Sequence, residues 1–229
     1  MQEIENLQQL GYSILENIYI EEETNQILQF ISDKELDKQF GVRYFLMNNE
    51  ELAPLIFTSK LKSLIQKISP NAFVVKSIYF DKPPNANWIV NWHQDITINV
   101  TGESDNPEYT KWRKTKKRTA VRSPSDILEK MFTIRIHLDD CSEKNGALRI
   151  IPKSHLQGII QMKNITTAIK ATEKICKVKK GGILLMKPMV LHSSKRVENE
   201  MNRRIIHIEF SSNELAEGVN WLERFEIAK

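Results

Sequence analysis

From Ala72 onward the chain divides into short runs of β-branched, aliphatic and aromatic residues, with no regular alternation of strand and helix patterns between them. Following an N-terminal helical stretch, such a succession argues for a mainly β protein, a sandwich or barrel with appended helices. The first run, Ala72–Phe80, closes on the turn residues Asp81-Lys82-Pro83-Pro84-Asn85. Asn87–Val100 follows, and then Met131–Leu138, Ala147–Ile151, Gly182–Met186 with an extension to His192, and Arg203–Phe210. Gln161–Thr172 fits a strand and a helix equally well. Residues 101–126 are polar and charged, and a connection of that length inside a compact unit is usually functional or disordered. Before Pro70, helices are expected over Glu21–Ile31, Glu50–Ile56 and Ser59–Ile68, with a short strand over Gly41–Phe45. The 229 residues suffice for one substantial core. They are read as one domain, with a helical layer over 1–70 and a β core over 71–212.

Composition narrows the setting more than the function. A formal net charge of +4 identifies no partner by itself. The two cysteines, Cys141 and Cys176, give no disulfide framework and suit a reducing compartment. The N-terminus has no basic region leading into an apolar stretch, and no apolar run approaches the length that spans a membrane. A cytoplasmic protein without membrane contact is the expectation. Oligomeric state leaves no trace in the sequence.

The chemistry concentrates at His93-Gln94-Asp95. Residues two apart on a strand share a face, so the His93 imidazole and the Asp95 carboxylate are expected to point the same way. A neutral nitrogen and an anionic oxygen offer two corners of a divalent-metal site. A second histidine would complete the two-His-one-carboxylate face of non-haem Fe(II) oxygenases, which leaves coordination positions open. His192, at the end of the apolar run launched by Gly181-Gly182, supplies it. Eleven residues later, Arg203 can bring to the same cavity a guanidinium fork suited to a carboxylate, and Ser194 can add a hydrogen bond. Arg204 competes with Arg203, since neighbouring strand residues face opposite sides. Alternation in Met131–Leu138 puts Thr133, Arg135 and His137 on one face. That face is either a polar cavity wall, with Arg135 on an anionic ligand, or the solvent side of an edge strand. Lys76 poses the same question, whereas His137, His155 and His207 read as structural histidines.

Taken together, Trp92-His93-Gln94-Asp95, His192-x-Ser194, Arg203 and Asn145-Gly146-Ala147-Leu148-Arg149-Ile150-Ile151-Pro152-Lys153-Ser154-His155 resemble the phytanoyl-CoA dioxygenase family. The last stretch is similar to the family's NGxLxxxPGSH segment, with Lys153 where glycine is usual. The resemblance extends over residues 8–212, from Gly11-Tyr12 onward, and includes Phe80-Asp81-Lys82-Pro83-Pro84-Asn85-Ala86-Asn87-Trp88. It implies a double-stranded β-helix (jelly-roll) core with Fe(II) and 2-oxoglutarate. By position, His93, Asp95 and His192 would bind the metal, and Arg203 and Ser194 the distal carboxylate of 2-oxoglutarate, with Arg135 a further candidate. Related halogenases replace the carboxylate ligand with a small residue, so Asp95 implies hydroxylation.

Three functions compete. The leading one is hydroxylation of a small molecule, with succinate and carbon dioxide as coproducts. The second is a non-catalytic jelly-roll module that binds a metal or a small acid. The third, a nucleic-acid-modifying oxygenase, draws on the basic stretch Lys111–Arg118, but Glu103, Asp105 and Glu108 beside it weaken that reading. The same stretch also reads as a solvated loop or as a lid attracting an acidic substrate.

Overall fold

The computed structural model describes residues 2–82, 89–116, 118–165, 172–196 and 201–227. Its helices are α1 (Gln2–Leu10), α2 (Glu21–Asp33), α3 (Ala53–Ile56), α4 (Ser59–Ile68) and α5 (Ser125–Lys130). The strands before α5 are β1 (Tyr12–Leu15), β2 (Gly41–Arg43), β3 (Phe73–Asp81), β4 (Val90–His93), β5 (Thr97–Val100), β6 (Thr110–Lys114) and β7 (Thr119–Arg122). Those after it are β8 (Phe132–His137), β9 (Leu148–Ile151), β10 (Lys174–Cys176), β11 (Ile183–Met186), β12 (Leu191–Ser194) and β13 (Arg204–Ser211). Residues 83–88 of the Phe80–Trp88 motif, Lys117, and 166–171 of the ambiguous Gln161–Thr172 segment lie outside the described residues.

A six-stranded antiparallel sheet, ordered β1-β11-β8-β13-β3-β2, faces a four-stranded sheet ordered β10-β9-β12-β4. Successive strands cross between the two: β8 to β9, β10 to β11, β11 to β12 and β12 to β13. This is the jelly-roll path, and it makes the fold mainly β with appended helices.

Strand alternation gives the large sheet two different faces. On one, Phe132, Ile134 and Ile136 of β8 and Ile206, Ile208 and Phe210 of β13 join the helical layer in one apolar core. Leu7, Ile27, Ile31, Leu61 and Ile65 close that core from α1, α2 and α4. Each such side chain contributes roughly 1.5–3 kcal/mol on burial. The helices start where local chemistry allows. Glu23 accepts a hydrogen bond from the Ile20 N–H ahead of α2 (2.9 Å), and Thr58 Oγ1 accepts from Leu61 N at the start of α4 (3.4 Å).

The other face looks into the sandwich. At the β1–β11 end it is apolar, where Leu184 and Met186 meet Leu148, Ile150 and Val190. Toward β8, β13, β3 and β2 it turns polar, and there a cavity lies.

Two expectations are corrected. The stretch 101–126 is neither one long loop nor disordered over its described residues: β6 and β7 form a hairpin that joins β5 in a three-stranded sheet. Its exposed edge needs no apolar residues, so the pattern read as a connection. The run Gly182–His192 is not one extended strand but two, β11 and β12, in different sheets. No helix among the described residues is long and apolar enough to cross a membrane.

Candidate metal centre and its cavity

His93 and His192 are direct cross-strand partners on β4 and β12, with ring centroids 4.1 Å apart. Each ring is fixed by its own strand: His93 Nδ1 lies 2.8 Å from Asn91 O, and His192 Nδ1 lies 2.9 Å from Val190 O. A carbonyl can only accept, so Nδ1 carries the hydrogen in both rings and Nε2 presents a bare lone pair. Both lone pairs aim at Asp95, with Nε2–Oδ1 3.7 Å from His93 and Nε2–Oδ2 3.6 Å from His192. No hydrogen bond can form between a lone pair and a carboxylate. Three donor atoms facing one another within 4.8 Å therefore fit a cation between them. Burial pushes His192 down to about 4, against the pull of Asp95, which leaves it a neutral ligand at physiological pH.

The route to this geometry differs from the one expected. His93 and Asp95 do not share a strand, because β4 ends at His93 and the chain leaves for β5 in another sheet. Gln94 fixes the crossing. Its Nε2 donates to Gly158 O (2.8 Å) and Met189 O (2.7 Å), and its Oε1 accepts from Ile160 N (2.7 Å). Asp95 N donates to Pro188 O (2.8 Å), and so the carboxylate is delivered from a pinned corner.

All six residues singled out in the sequence, His93, Asp95, His192, Ser194, Arg203 and Arg135, line one cavity of about 260 Å³. Arg203 is buried just before β13, and its Nη1 donates to Gly146 O (2.5 Å). Arg204, on the opposite side, pairs with Asp139 at 2.7 Å. Arg135 donates from Nη1 to His207 Nδ1 (2.9 Å). Burial lowers the Arg135 pKa to about 10, the repulsion of Arg203 adding to it. The Nε atoms of Arg135 and Arg203 are buried without a partner among the described residues. Two adjacent buried guanidiniums with spare N–H groups fit a carboxylate ligand. β8 is an interior strand with every residue buried, so its polar face is no solvent edge.

His207, expected to be a structural histidine, and Glu209, for which no role was expected, both line the cavity from β13. Lys76 Nζ contacts both Glu209 oxygens at 2.8 Å, and His207 Nε2 lies 3.1 Å from Glu209 Oε1. Asp95, His207 and Glu209 form a second group of potential ligand atoms within 4.8 Å. There Glu209 is already neutralised by Lys76 and His207 is engaged by Arg135, so the first trio is the better metal site. The alternation Ile205, His207, Glu209 was the signal that could have found them. His155, by contrast, bonds Gln8 O (2.9 Å), as a structural histidine should.

The family profile described as Phytanoyl-CoA dioxygenase (PhyH) matches residues 29–205. "Phytanoyl-CoA dioxygenase domain-containing protein 1" from Danio rerio is 24% identical over 185 residues, covering 73% of this chain and 55% of that protein. The chain thus matches about half the length of that relative. Among solved structures, EvdO2 from Micromonospora carbonacea var. aurantiaca aligns with a TM-score of 0.67 at 15% identity, covering 94% of this chain and 93% of its own. EctD from S. alaskensis with 2-oxoglutarate and 5-hydroxyectoine aligns at 0.69 and 14% identity, covering 93% and 77%. The non-heme alpha ketoglutarate dependent carbocyclase SnoK from nogalamycin biosynthesis aligns at 0.66 and 14%, covering 92% and 83%. At these identities the structural likenesses establish the fold.

Proposed function

The chain belongs to the phytanoyl-CoA dioxygenase family, and from that premise we propose that it uses iron and 2-oxoglutarate to hydroxylate a small anionic molecule. His93, Asp95 and His192 would hold Fe(II). Arg203 and Ser194 would take the distal carboxylate of 2-oxoglutarate, with the free N–H of Arg135 turned to the same anion. Bound there, iron and 2-oxoglutarate supply the oxidising power, with succinate and carbon dioxide as coproducts.

The protein's part is positioning. The Nδ1 hydrogen bonds hold both imidazoles in the ligating tautomer, and Gln94 locks the corner that carries Asp95. The polar cavity face would orient 2-oxoglutarate, and the apolar end of the sandwich would keep water from behind it. Asp95 occupies the place of the carboxylate ligand, which supports hydroxylation. The helical layer and jelly roll are read as one catalytic domain. The two free buried thiols support a cytoplasmic setting.

The single observation that carries the reading is the pair of bare Nε2 lone pairs facing one carboxylate. The test is succinate formation from 2-oxoglutarate under Fe(II), together with metal binding followed by thermal unfolding. Wild type should form succinate and gain stability with Fe(II) or Zn(II), roughly 2.7 kcal/mol at metal concentrations about 100-fold above Kd. His192→Ala and Asp95→Ala should lose both effects, and Arg203→Gln should raise the KM for 2-oxoglutarate at least ~10-fold. Saturable metal binding without succinate formation, even in the presence of small carboxylates and phosphates, would favour the non-catalytic module.

A further inference from the structure

The wall of the cavity carries more positive charge than the proposed chemistry consumes. Arg43, Lys76, Arg118, Arg135 and Arg203 line it, against two carboxylates, Asp95 and Glu209. Lys76 is neutralised by Glu209. Arg203 and Arg135 face the site of 2-oxoglutarate, whose two charges balance those of a divalent ion. Arg43 and Arg118 have no role in that account.

Both are delivered to the cavity by rigid structure. Arg43 ends the edge strand β2 and is the register partner of Ile78, which is opposite His207, which is opposite Arg135. Direct partners across a sheet project to the same face, so Arg43 extends the row that begins at the cosubstrate site. At the next residue, Tyr44, the backbone turns left-handed (φ 57) and the strand stops. Arg118 arrives from a different sheet. Its backbone is clamped in the β6–β7 hairpin, with Thr115 N donating to Arg118 O (2.9 Å) and Arg118 N donating to Thr115 Oγ1 (3.1 Å). Its side chain makes no hydrogen bond or ion pair among the described residues, and neither does that of Arg43.

Arg149, Arg204 and Arg224 are paired with Glu173, Asp139 and Glu214 respectively. The acids that act on Arg43 are Glu209 and Glu223, and each is already engaged, by Lys76 and Ser77. Arg43 is exposed as a residue but loses part of its hydration beside the cavity, which lowers its pKa, and the repulsion of Arg118 lowers it further. Two guanidinium forks that line the same cavity without a counter-ion among the described residues match an oxyanion, which each can bind bidentately.

We infer that Arg43 and Arg118 form a substrate-anion subsite, which binds a carboxylate or phosphate group of the molecule to be oxidised and presents the rest of it to the metal trio. The subsite explains why a hairpin rich in lysine and arginine closes one wall of the cavity: Arg118 is its contribution to recognition. The inference deepens the proposed function and rests on it for the identity of the bound anion as substrate.

The test uses protein loaded with Zn(II) in place of iron and saturated with 2-oxoglutarate, titrated calorimetrically with inorganic phosphate and separately with malonate. Wild type should bind at least one probe saturably without displacing 2-oxoglutarate. Arg43→Gln and Arg118→Gln should each weaken that binding about fivefold or more, and the double variant should remove it. Arg43→Lys and Arg118→Lys, which keep the charge but lose the fork, should fall between. The probe bound more tightly identifies the anionic group of the substrate. No saturable binding to wild type, equal binding to the double variant, or displacement of 2-oxoglutarate by the probe overturns the subsite. If 2-oxoglutarate itself does not bind while probe binding still depends on both arginines, the subsite stands and the oxygenase reading falls.

Discussion

Lys76→Met tests the cavity wall most directly. Lys76 and Glu209 are cross-strand partners on β3 and β13, with side chains only 11% and 4% exposed. The ammonium bridges both carboxylate oxygens at 2.8 Å and also donates to Thr97 O (3.2 Å). Burial pushes the Glu209 pKa up, and Lys76, followed by His207, brings it below the usual carboxylate value. Removing Lys76 therefore leaves a nearly buried carboxylate without its cation. Breaking a buried pair in this way costs about 3–5 kcal/mol. His207 remains as a donor to Glu209 Oε1, which places the expected loss at the lower end, about 3 kcal/mol. For a chain of this size, that lowers Tm by roughly 6–12 °C. Scanning calorimetry at neutral pH measures it. Glu209→Gln should cost less, and the double variant Lys76→Met with Glu209→Gln should recover much of the loss, because no buried charge then lacks a partner. The sign with pH follows as well. In Lys76→Met, Glu209 titrates above its unfolded value, so its protonation stabilises the fold at low pH and the penalty grows as pH rises through the new pKa. A Lys76→Met cost below about 1 kcal/mol, independent of pH, would refute the account, since a pair that weak behaves as a solvated one.

Two further outcomes concern stability. Lys153 is exposed and left-handed, with φ 66, at the place where the resembling motif carries glycine. Lys153→Gly should relieve about 1–2 kcal/mol of strain against roughly 0.5–1 kcal/mol of added chain entropy, raising Tm by a few degrees; a lower Tm would show that the strain is absent. Glu223 is buried, accepts from Ser77 N (3.0 Å) and Ser77 Oγ (2.7 Å), and burial raises its pKa to about 7. A raised carboxyl contributes stability that is complete below its unfolded value near 4.5 and is lost as pH rises through 7, worth about 3 kcal/mol here. Glu223→Gln, which keeps an acceptor for both Ser77 bonds, should flatten urea-unfolding stability between pH 5 and 8 relative to wild type, and parallel curves would exclude the linkage.

What the sequence disclosed depended on whether one face of an element was buried. β3, β8 and β13 alternate between an apolar core and a polar cavity, so their pattern was legible, whereas alternation left Arg203 and Arg204 competing and only the family resemblance chose between them. β6 and β7 were illegible because β6 is largely exposed, and the charges that mark it as polar say nothing about its hydrogen bonding. His207 was undervalued on the assumption that an isolated histidine is structural. The alternation that exposed Arg135 also placed His207 and Glu209 on the cavity face, and applying it to β13 would have found them. The break between β4 and β5 left no local signal, because Gln94 makes its contacts with Gly158, Met189 and Ile160, far away in the chain.

That break explains how a short motif becomes a candidate metal site. Had His93-Gln94-Asp95 continued as one strand, both ligands would have stood side by side on a flat face, and His192 would have met only the first. Ending β4 at His93 keeps its imidazole in register with His192 on β12. The turn secured by Gln94 then swings the Asp95 carboxylate to within reach of both rings. The jelly roll supplies such corners wherever a strand leaves one sheet for another, and the corner at Gln94 opens onto the polar half of the sandwich. The candidate trio is therefore a property of the crossing, and the residue between His93 and Asp95 does as much to build it as those two side chains themselves.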